Sequence, residues 1–449
     1  MSRLTDKSSK IIDIIFSEEV FCFYIISCMI AVPLTEFIAE LMGQTLVAEQ
    51  VVFSVYGIVG LFLCTGKLAL KPTGRHWSDF FFFTLHIFMF LSLIYSCDIA
   101  RILRKNATSN EYPAFFVGYY CMMYAGFQLS KKKLRQFVLA TFLLLALLEG
   151  ILGIFQTFGI APLPMLWTEW ILEVFGLTPN SNLFGALSVL FVGACGGMFI
   201  FAEKKGFRIA AGVLTIISIY CSVHSLARLA WLGDGIVVVT YFVSLLIMMK
   251  RNKGDEKYKI MFKRFLLWLA FIAGGIVLAI LKSNSLSKRI EVTSNEISAV
   301  TEQGDITRVG SHRGVIWSFC LEALPRHWVT GVGLDNLKQC YLENRKWVQG
   351  MYYSNQAHNE YLQVLTTQGI FAFINYMALI ITSTVMGIKR VIKNDDDTDR
   401  FITWTYLAMF AGFSCAMFFL FRSFTVEPYY FAVIGLMNPR VHKKIADRK

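Results

Sequence analysis

Four residues of this 449-residue sequence stand out as candidates for chemistry: Arg228, Arg313, His358 and Arg422. Arg228 stands between two such runs, in His224-Ser225-Leu226-Ala227-Arg228-Leu229-Ala230-Trp231. Arg313 lies in Ser311-His312-Arg313-Gly314-Val315-Ile316-Trp317, early in a helix-like stretch, and Arg422 directly follows another apolar run. His358 belongs to the densest polar cluster, Ser354-Asn355-Gln356-Ala357-His358-Asn359-Glu360-Tyr361-Leu362, just ahead of Gly369 and a further run. A cation at the mouth of a hydrocarbon layer is costly, and one that is present usually meets an anion. Guanidinium forks suit phosphate oxygens, because two parallel hydrogen bonds add geometry to charge. An imidazole at the same depth either accepts a proton near neutral pH or hydrogen-bonds a phosphate or a sugar hydroxyl. Each residue also has a plainer reading: Arg228 as a snorkelling interfacial side chain, Arg313 as surface charge, Arg422 as an orientation anchor, His358 as a structural histidine, Glu360 as a solvated carboxylate. Spacing alone leaves both readings open.

The elements that must position these groups are membrane spans. Hydrophobic residues make up 55% of the chain, charged residues 16%, and the mean hydropathy is +0.54, more apolar surface than one soluble core can hide. Runs of spanning length fall at about 21–42, 48–66, 80–97, 114–129, 137–158, 183–202, 209–223, 229–249, 265–281, 369–388 and 402–421, with a short twelfth at 429–437. The expected fold is therefore an all-α polytopic membrane protein of about twelve helices. The 40 Phe residues, dense in runs such as Phe80-Phe81-Phe82-Phe83, read as lipid-facing bulk.

The net charge of +12 is not a nucleic-acid footprint, because Lys and Arg cluster between the runs instead of along one face. With the N-terminus in the cytoplasm, the clusters Lys67/Lys71/Arg75, Lys131-Lys132-Lys133, Lys204/Lys205/Arg208, Lys250 to Arg264, Lys389 to Arg400 and Arg440 to Lys449 all fall inside. Both termini are then cytoplasmic, and Arg228, Arg313, His358 and Arg422 share the external side. The expected organisation is a cytoplasmic tail (1–20), nine spans (21–281) with an interfacial segment at 159–182, a large external loop (282–368) of mostly helical character, three spans (369–437) and a cytoplasmic tail (438–449). The first apolar run lacks a small-residue cleavage site and reads as a retained anchor.

Other signals carry less. Most of the ten Cys residues lie in or at the ends of apolar runs as small buried hydrophobes, while Cys320 and Cys340 fall in the large loop, where a disulfide is possible. His312 and His327 lack the partners of a closed metal site, so no metal is expected. Asp395-Asp396-Asp397-Thr398-Asp399 lies between basic clusters and reads as a solvated turn. Neither a P-loop nor a strand-linked GxGxxG is present, and no nucleotide cofactor is expected.

Taken in order, three segments resemble the bacterial O-antigen ligase and O-antigen polymerase family of membrane glycosyltransferases. They are Ser225-Leu226-Ala227-Arg228; Arg313 three residues before Ile316-Trp317, followed by Pro325 and Gly331-Val332-Gly333-Leu334; and His358-Asn359-Glu360-Tyr361-Leu362 with Gly369 eleven residues after the histidine, similar to the family's His-x10-Gly pattern. Thr178-Pro179-Asn180-Ser181-Asn182 resembles its Pro-Asn segment. The resemblance covers about 177–387, and departs from the family in Ala227, where Ser is common.

The resemblance implies a C-type glycosyltransferase fold in the bacterial inner membrane, acting on the periplasmic face without metal or nucleotide. Its donor is a glycan on undecaprenyl diphosphate, and its acceptor is either lipid A core oligosaccharide, which makes a ligase, or another lipid-linked glycan, which makes a polymerase. The single His-x10-Gly motif in one large loop favours the ligase. Carried over, Arg228 and Arg313 hold the diphosphate and His358 activates or orients the acceptor hydroxyl, with Asn180, Asn359, Glu360 and Arg422 as further substrate contacts. The rival from another class is a flippase or transporter that binds the same lipid-linked glycan without chemistry. Such a protein needs a charged cavity reachable from both faces, whereas the candidate groups here gather on one.

Overall fold

The computed structural model describes residues 2–42, 47–71, 76–99, 110–160, 173–282, 285–303, 309–338 and 356–440. Its elements in chain order are α1 (Ser2–Ile15), α2 (Glu18–Leu41), α3 (Val47–Leu70), α4 (Trp77–Ile94), α5 (Pro113–Phe127), α6 (Lys132–Thr157), α7 (Ser181–Phe201), α8 (Lys205–His224), α9 (Arg228–Arg251), α10 (Glu256–Lys282), α11 (Ser285–Gln303), α12 (Val309–His327), α13 (Glu360–Lys393), α14 (Asp397–Ala416) and α15 (Glu427–Met437). No strand occurs among the described residues. Backbone groups in hydrocarbon must be satisfied internally, and helices do this within one segment. The protein is a polytopic helical membrane protein.

Each of the twelve apolar runs coincides with a helix, and ten helical segments among the described residues are long and apolar enough to cross a bilayer. The exceptions are α5, with 15 residues, and α15, with 11. Their shortness has a packing cause. Every residue of α15 is buried, and the helix lies against α5 in the interior of the bundle. Gly126 and Gly435 make that approach possible. A Cβ on Gly435 would stand 2.1 Å from the Met123 carbonyl oxygen, and one on Gly126 would stand 2.8 Å from that of Ala432. Small residues let membrane helices close to backbone contact. The other buried centre is α7, which packs on α8, α9 and α14, whereas α3 and α10 show most of their apolar side chains outward.

The phenylalanine run divides between two environments. Phe80 and Phe83 face outward, but Phe81 and Phe82 are buried in the core, so half of that run is packing and not lipid-facing bulk. Of the cysteines read as buried, Cys97 is exposed and Cys415 half-buried. Cys320 is a buried residue of α12; its possible partner Cys340 lies outside the described residues. Half of the interfacial segment, at 161–172, also lies outside them.

At the end of the bundle where α8 meets α9, α12 packs on α13 and α11 packs on α12. Helix α13 begins at Glu360, nine residues before the apolar run, and is two helices joined at Gly369, whose φ of +84° and ψ of 177° are non-helical. The turn and irregular segment 328–333 laces into that break: Ile370 N–H donates to the Trp328 carbonyl (2.8 Å), Val332 N–H to that of Thr366 (2.9 Å) and Gly333 N–H to that of Thr367 (2.9 Å). A Cβ at Gly369 would meet the Val329 oxygen at 2.1 Å. Glycine is required there both for the conformation and for the close approach.

Candidate functional site

His358 sits in a short turn immediately before α13, with φ +49°. A non-glycine residue in the left-handed region is strained and persists where its surroundings over-determine it. Here they do. The Ala357 carbonyl accepts from the Trp317 indole of α12 (3.0 Å), and the Ala357 N–H donates to Gln363 Oε1 (2.6 Å). Asn359 caps α13, its Oδ1 accepting from Leu362 N–H at 3.0 Å. Phe421 meets the imidazole edge-on, ring centroids 5.1 Å apart. The histidine is thus held from both sides, by α12 and by the stretch after α14.

Directly behind the turn, Glu360 and Arg422 form an ion pair with side chains 0% and 2% exposed. The Arg422 guanidinium also lies 4.4 Å from the centre of the Phe116 ring. Both residues were expected to contact substrate; the structure places each against the other in the interior, where a buried cation needs a buried counterion. Asn180, another expected contact, caps α7 by accepting from Leu183 N–H at 3.0 Å, as short polar side chains commonly do at helix N-termini. Asn359 has the same capping role.

Arg228 opens α9. Its Nη1 donates to Glu296 Oε2 (2.8 Å) and Thr293 Oγ1 (3.4 Å), and its Nη2 to Glu296 Oε1 (3.4 Å). Both partners lie on α11. The turn before α9 has Leu226 at φ +55°, and its carbonyl accepts from Arg289 Nε of α11 at 3.2 Å. Ala227, the departure from the family pattern, lies against Gly185 of α7. Ser225 supplies the local polar contacts, its hydroxyl donating to the Ser222 carbonyl (2.7 Å) and accepting from Ala227 N–H (3.3 Å).

Arg289 of α11 and Arg313 of α12 share this electrostatic field. Burial first, then the charges of Arg228 and Arg289, lower the Arg313 guanidinium to about 10. Burial and then Arg228 lower Arg289 as well, with Glu173 and Glu296 opposing. His358 is pushed down to about 4 by burial and then by the Arg313 charge. Arg313, far from both in sequence, thus lies within electrostatic reach of Arg228 on one side and of His358 on the other. Arg289 joins them. It escaped the sequence reading because α11 is polar and lies between, not beside, the apolar runs; only its position on the face that meets the α8–α9 turn reveals it.

Glu111 is a second residue that the sequence did not single out. Just ahead of α5, it accepts from Asp335 N–H (2.8 Å) and from the Thr367 hydroxyl (3.3 Å), tying the glycine-rich segment to the first part of α13. Burial pushes its carboxyl up to about 7.

Residues 213–377, from α8 through the break in α13, match the family model described as O-antigen ligase. Over this segment the chain is similar to the O-antigen ligase family. The O-antigen ligase match spans a little over a third of the 449 residues and contains Arg228, Arg289, Arg313, His358 and Gly369. No individual curated protein matches the chain.

Proposed function

We propose that the protein is a membrane glycosyltransferase that moves a glycan from undecaprenyl diphosphate to a sugar hydroxyl. Arg228 and Arg313 hold the diphosphate, and His358 takes the acceptor's proton. The observation that carries this reading is the place of Arg313 within electrostatic reach of both Arg228 and His358 at one end of the bundle, inside the segment that matches the O-antigen ligase family. The acceptor oxygen attacks the anomeric carbon, the bond from that carbon to the diphosphate breaks, and the diphosphate leaves with the electron pair. Guanidinium groups aimed at the leaving group stabilise the charge that develops there.

A histidine lowered to about 4 is a weak base in the free protein. An anionic diphosphate on Arg313 offsets the charge that lowers it, so His358 gains basicity when the donor is bound. Proton abstraction is thereby tied to donor occupancy. Asn359, Glu360 and Arg422 act on this reading by holding the His358 turn, and Asn180 by capping α7.

The reading carries with it a C-type glycosyltransferase fold, a place in the bacterial inner membrane with both termini in the cytoplasm, and a periplasmic site. The description of the matching family favours lipid A core as acceptor, which makes the protein an O-antigen ligase; another lipid-linked glycan as acceptor would make it a polymerase. Purified protein supplied with undecaprenyl-diphosphate glycan, with and without lipid A core, distinguishes them. A single shift of the core, only when core is present, is expected of the ligase. A ladder of lengthening glycan without core means a polymerase, and no transfer in either mixture refutes the enzyme.

A further inference from the structure

Arg289, Thr293 and Glu296 are spaced four and three residues apart, so they line one face of α11. That face is turned to the α8–α9 junction: Arg289 reaches the Leu226 carbonyl, and Thr293 and Glu296 reach Arg228. Elsewhere on α11 are the exposed apolar side chains Ile290, Val292 and Ile297. The helix therefore meets the junction through polar contacts, and the ion pair Arg228–Glu296 is central to them.

The geometry of that pair is the one a phosphate would adopt. Two Glu296 oxygens face two Arg228 nitrogens, at 2.8 and 3.4 Å, the parallel fork in which guanidinium receives carboxylate and phosphate alike. The side chains are 22% and 14% exposed, half-sheltered but within reach of a ligand. Glu296 is also the carboxylate whose charge opposes the lowering of both Arg289 and Arg313. It is therefore a counterion shared by three cations.

We propose that Glu296 occupies the donor diphosphate's seat on Arg228, and that the diphosphate binds by displacing it. This rests on the diphosphate reading of Arg228 given above and adds an exchange to it. A site that gives up one anion for another gains only the difference between the two contacts, so both donor and diphosphate product are held less tightly than by an open guanidinium. The return of Glu296 to Arg228 assists departure of the product, whose newly freed phosphate oxygen would otherwise bind the arginines most tightly of all. Because α11 is held to the junction through this contact, displacement also loosens the helix over the site.

The test is inorganic pyrophosphate titrated into the full-length protein in neutral-lipid nanodiscs, with undecaprenyl diphosphate as second probe. Glu296→Gln keeps the size of the side chain and removes its charge; it is expected to tighten pyrophosphate about tenfold. Arg228→Ala should weaken it in either background. Weakening in Arg228→Ala together with unchanged or weaker binding in Glu296→Gln would leave the diphosphate site standing and overturn the exchange. Unchanged binding in Arg228→Ala would overturn the diphosphate reading and the exchange with it. Glu296→Asp, which keeps the charge but withdraws it by one methylene, provides a second arm should the glutamine variant fail to fold. Tighter binding there supports the exchange, and equal or weaker binding overturns it.

Discussion

At the residue scale the account turns on His358 and the cation beside it. With its acidity set at about 4, the imidazole of the free protein is already neutral throughout the range from pH 5 upward. The acid limb of kcat/KM should accordingly lie near pH 4 and not near the ordinary value of about 6.5. Replacing Arg313 by Met removes the positive charge that helps to disfavour the imidazolium. His358 should then rise toward the ordinary range, and the acid limb should move up in pH as overall activity falls. A pH–rate profile of both proteins checks the sign; an acid limb left in place would mean that Arg313 does not act on His358. A second expectation concerns geometry. Arg228→Lys keeps the charge but loses the fork, and should raise the donor KM by about tenfold or more, whereas an arginine serving only as an interfacial anchor would tolerate lysine.

At the element scale, function depends on a break. The His-x10-Gly spacing was visible in the sequence, but its meaning was not. Ten residues separate His358 from Gly369 because a two-turn helix, capped by Asn359, is interposed between the histidine and the span proper. Hydropathy marks only the span, so the sequence shows an apolar run starting at Gly369 and leaves the polar helix before it unread. Gly369→Ala would place a Cβ 2.1 Å from the Val329 oxygen, in a backbone conformation that suits only glycine. It should cost about 1–3 kcal/mol from the backbone alone, more from the contact, and should detach 328–333 from α13. A lowered melting temperature in detergent, together with lost transfer activity, is the expected result. Asn359→Ala is a gentler probe: losing the cap should cost about 1 kcal/mol and lower kcat more than it alters the donor KM, since what moves is the His358 turn.

Element boundaries were legible wherever an apolar run met a charge cluster. The shared cation site was legible only in part. Arg228 could be picked out because it adjoins an apolar run and Arg313 because its segment resembles a family motif, while Arg289 and Glu296 sit in a polar helix whose inward face has no sequence signature until its partner is known. Arg422 misled for a related reason: a cation next to a span looks interfacial, and nothing in the local sequence announces that Glu360, 62 residues earlier, neutralises it in the interior.

At the scale of the whole molecule, two buried helices too short to count as spans by themselves lie against each other in the core, and α11 and α12 lie at the end where α8 meets α9. On the function proposed above that end faces the periplasm, in keeping with the distribution of Lys and Arg. Single cysteines introduced at Ser318 in α12 and at Lys253 between α9 and α10 should divide accordingly in intact cells. A membrane-impermeant maleimide should label the first and spare the second until the membrane is opened. The reverse pattern would put the site in the cytoplasm and exclude a periplasmic acceptor.

The measurement closest to the central claim is single-turnover transfer from purified undecaprenyl-diphosphate glycan to its acceptor by His358→Ala, with donor binding measured on the same preparation. Loss of a general base should slow transfer by about 10²–10⁴-fold while donor affinity stays near that of the unmodified protein, because the arginines remain. Transfer at the unmodified rate, with the donor bound equally well, would contradict the assignment of His358 as the base.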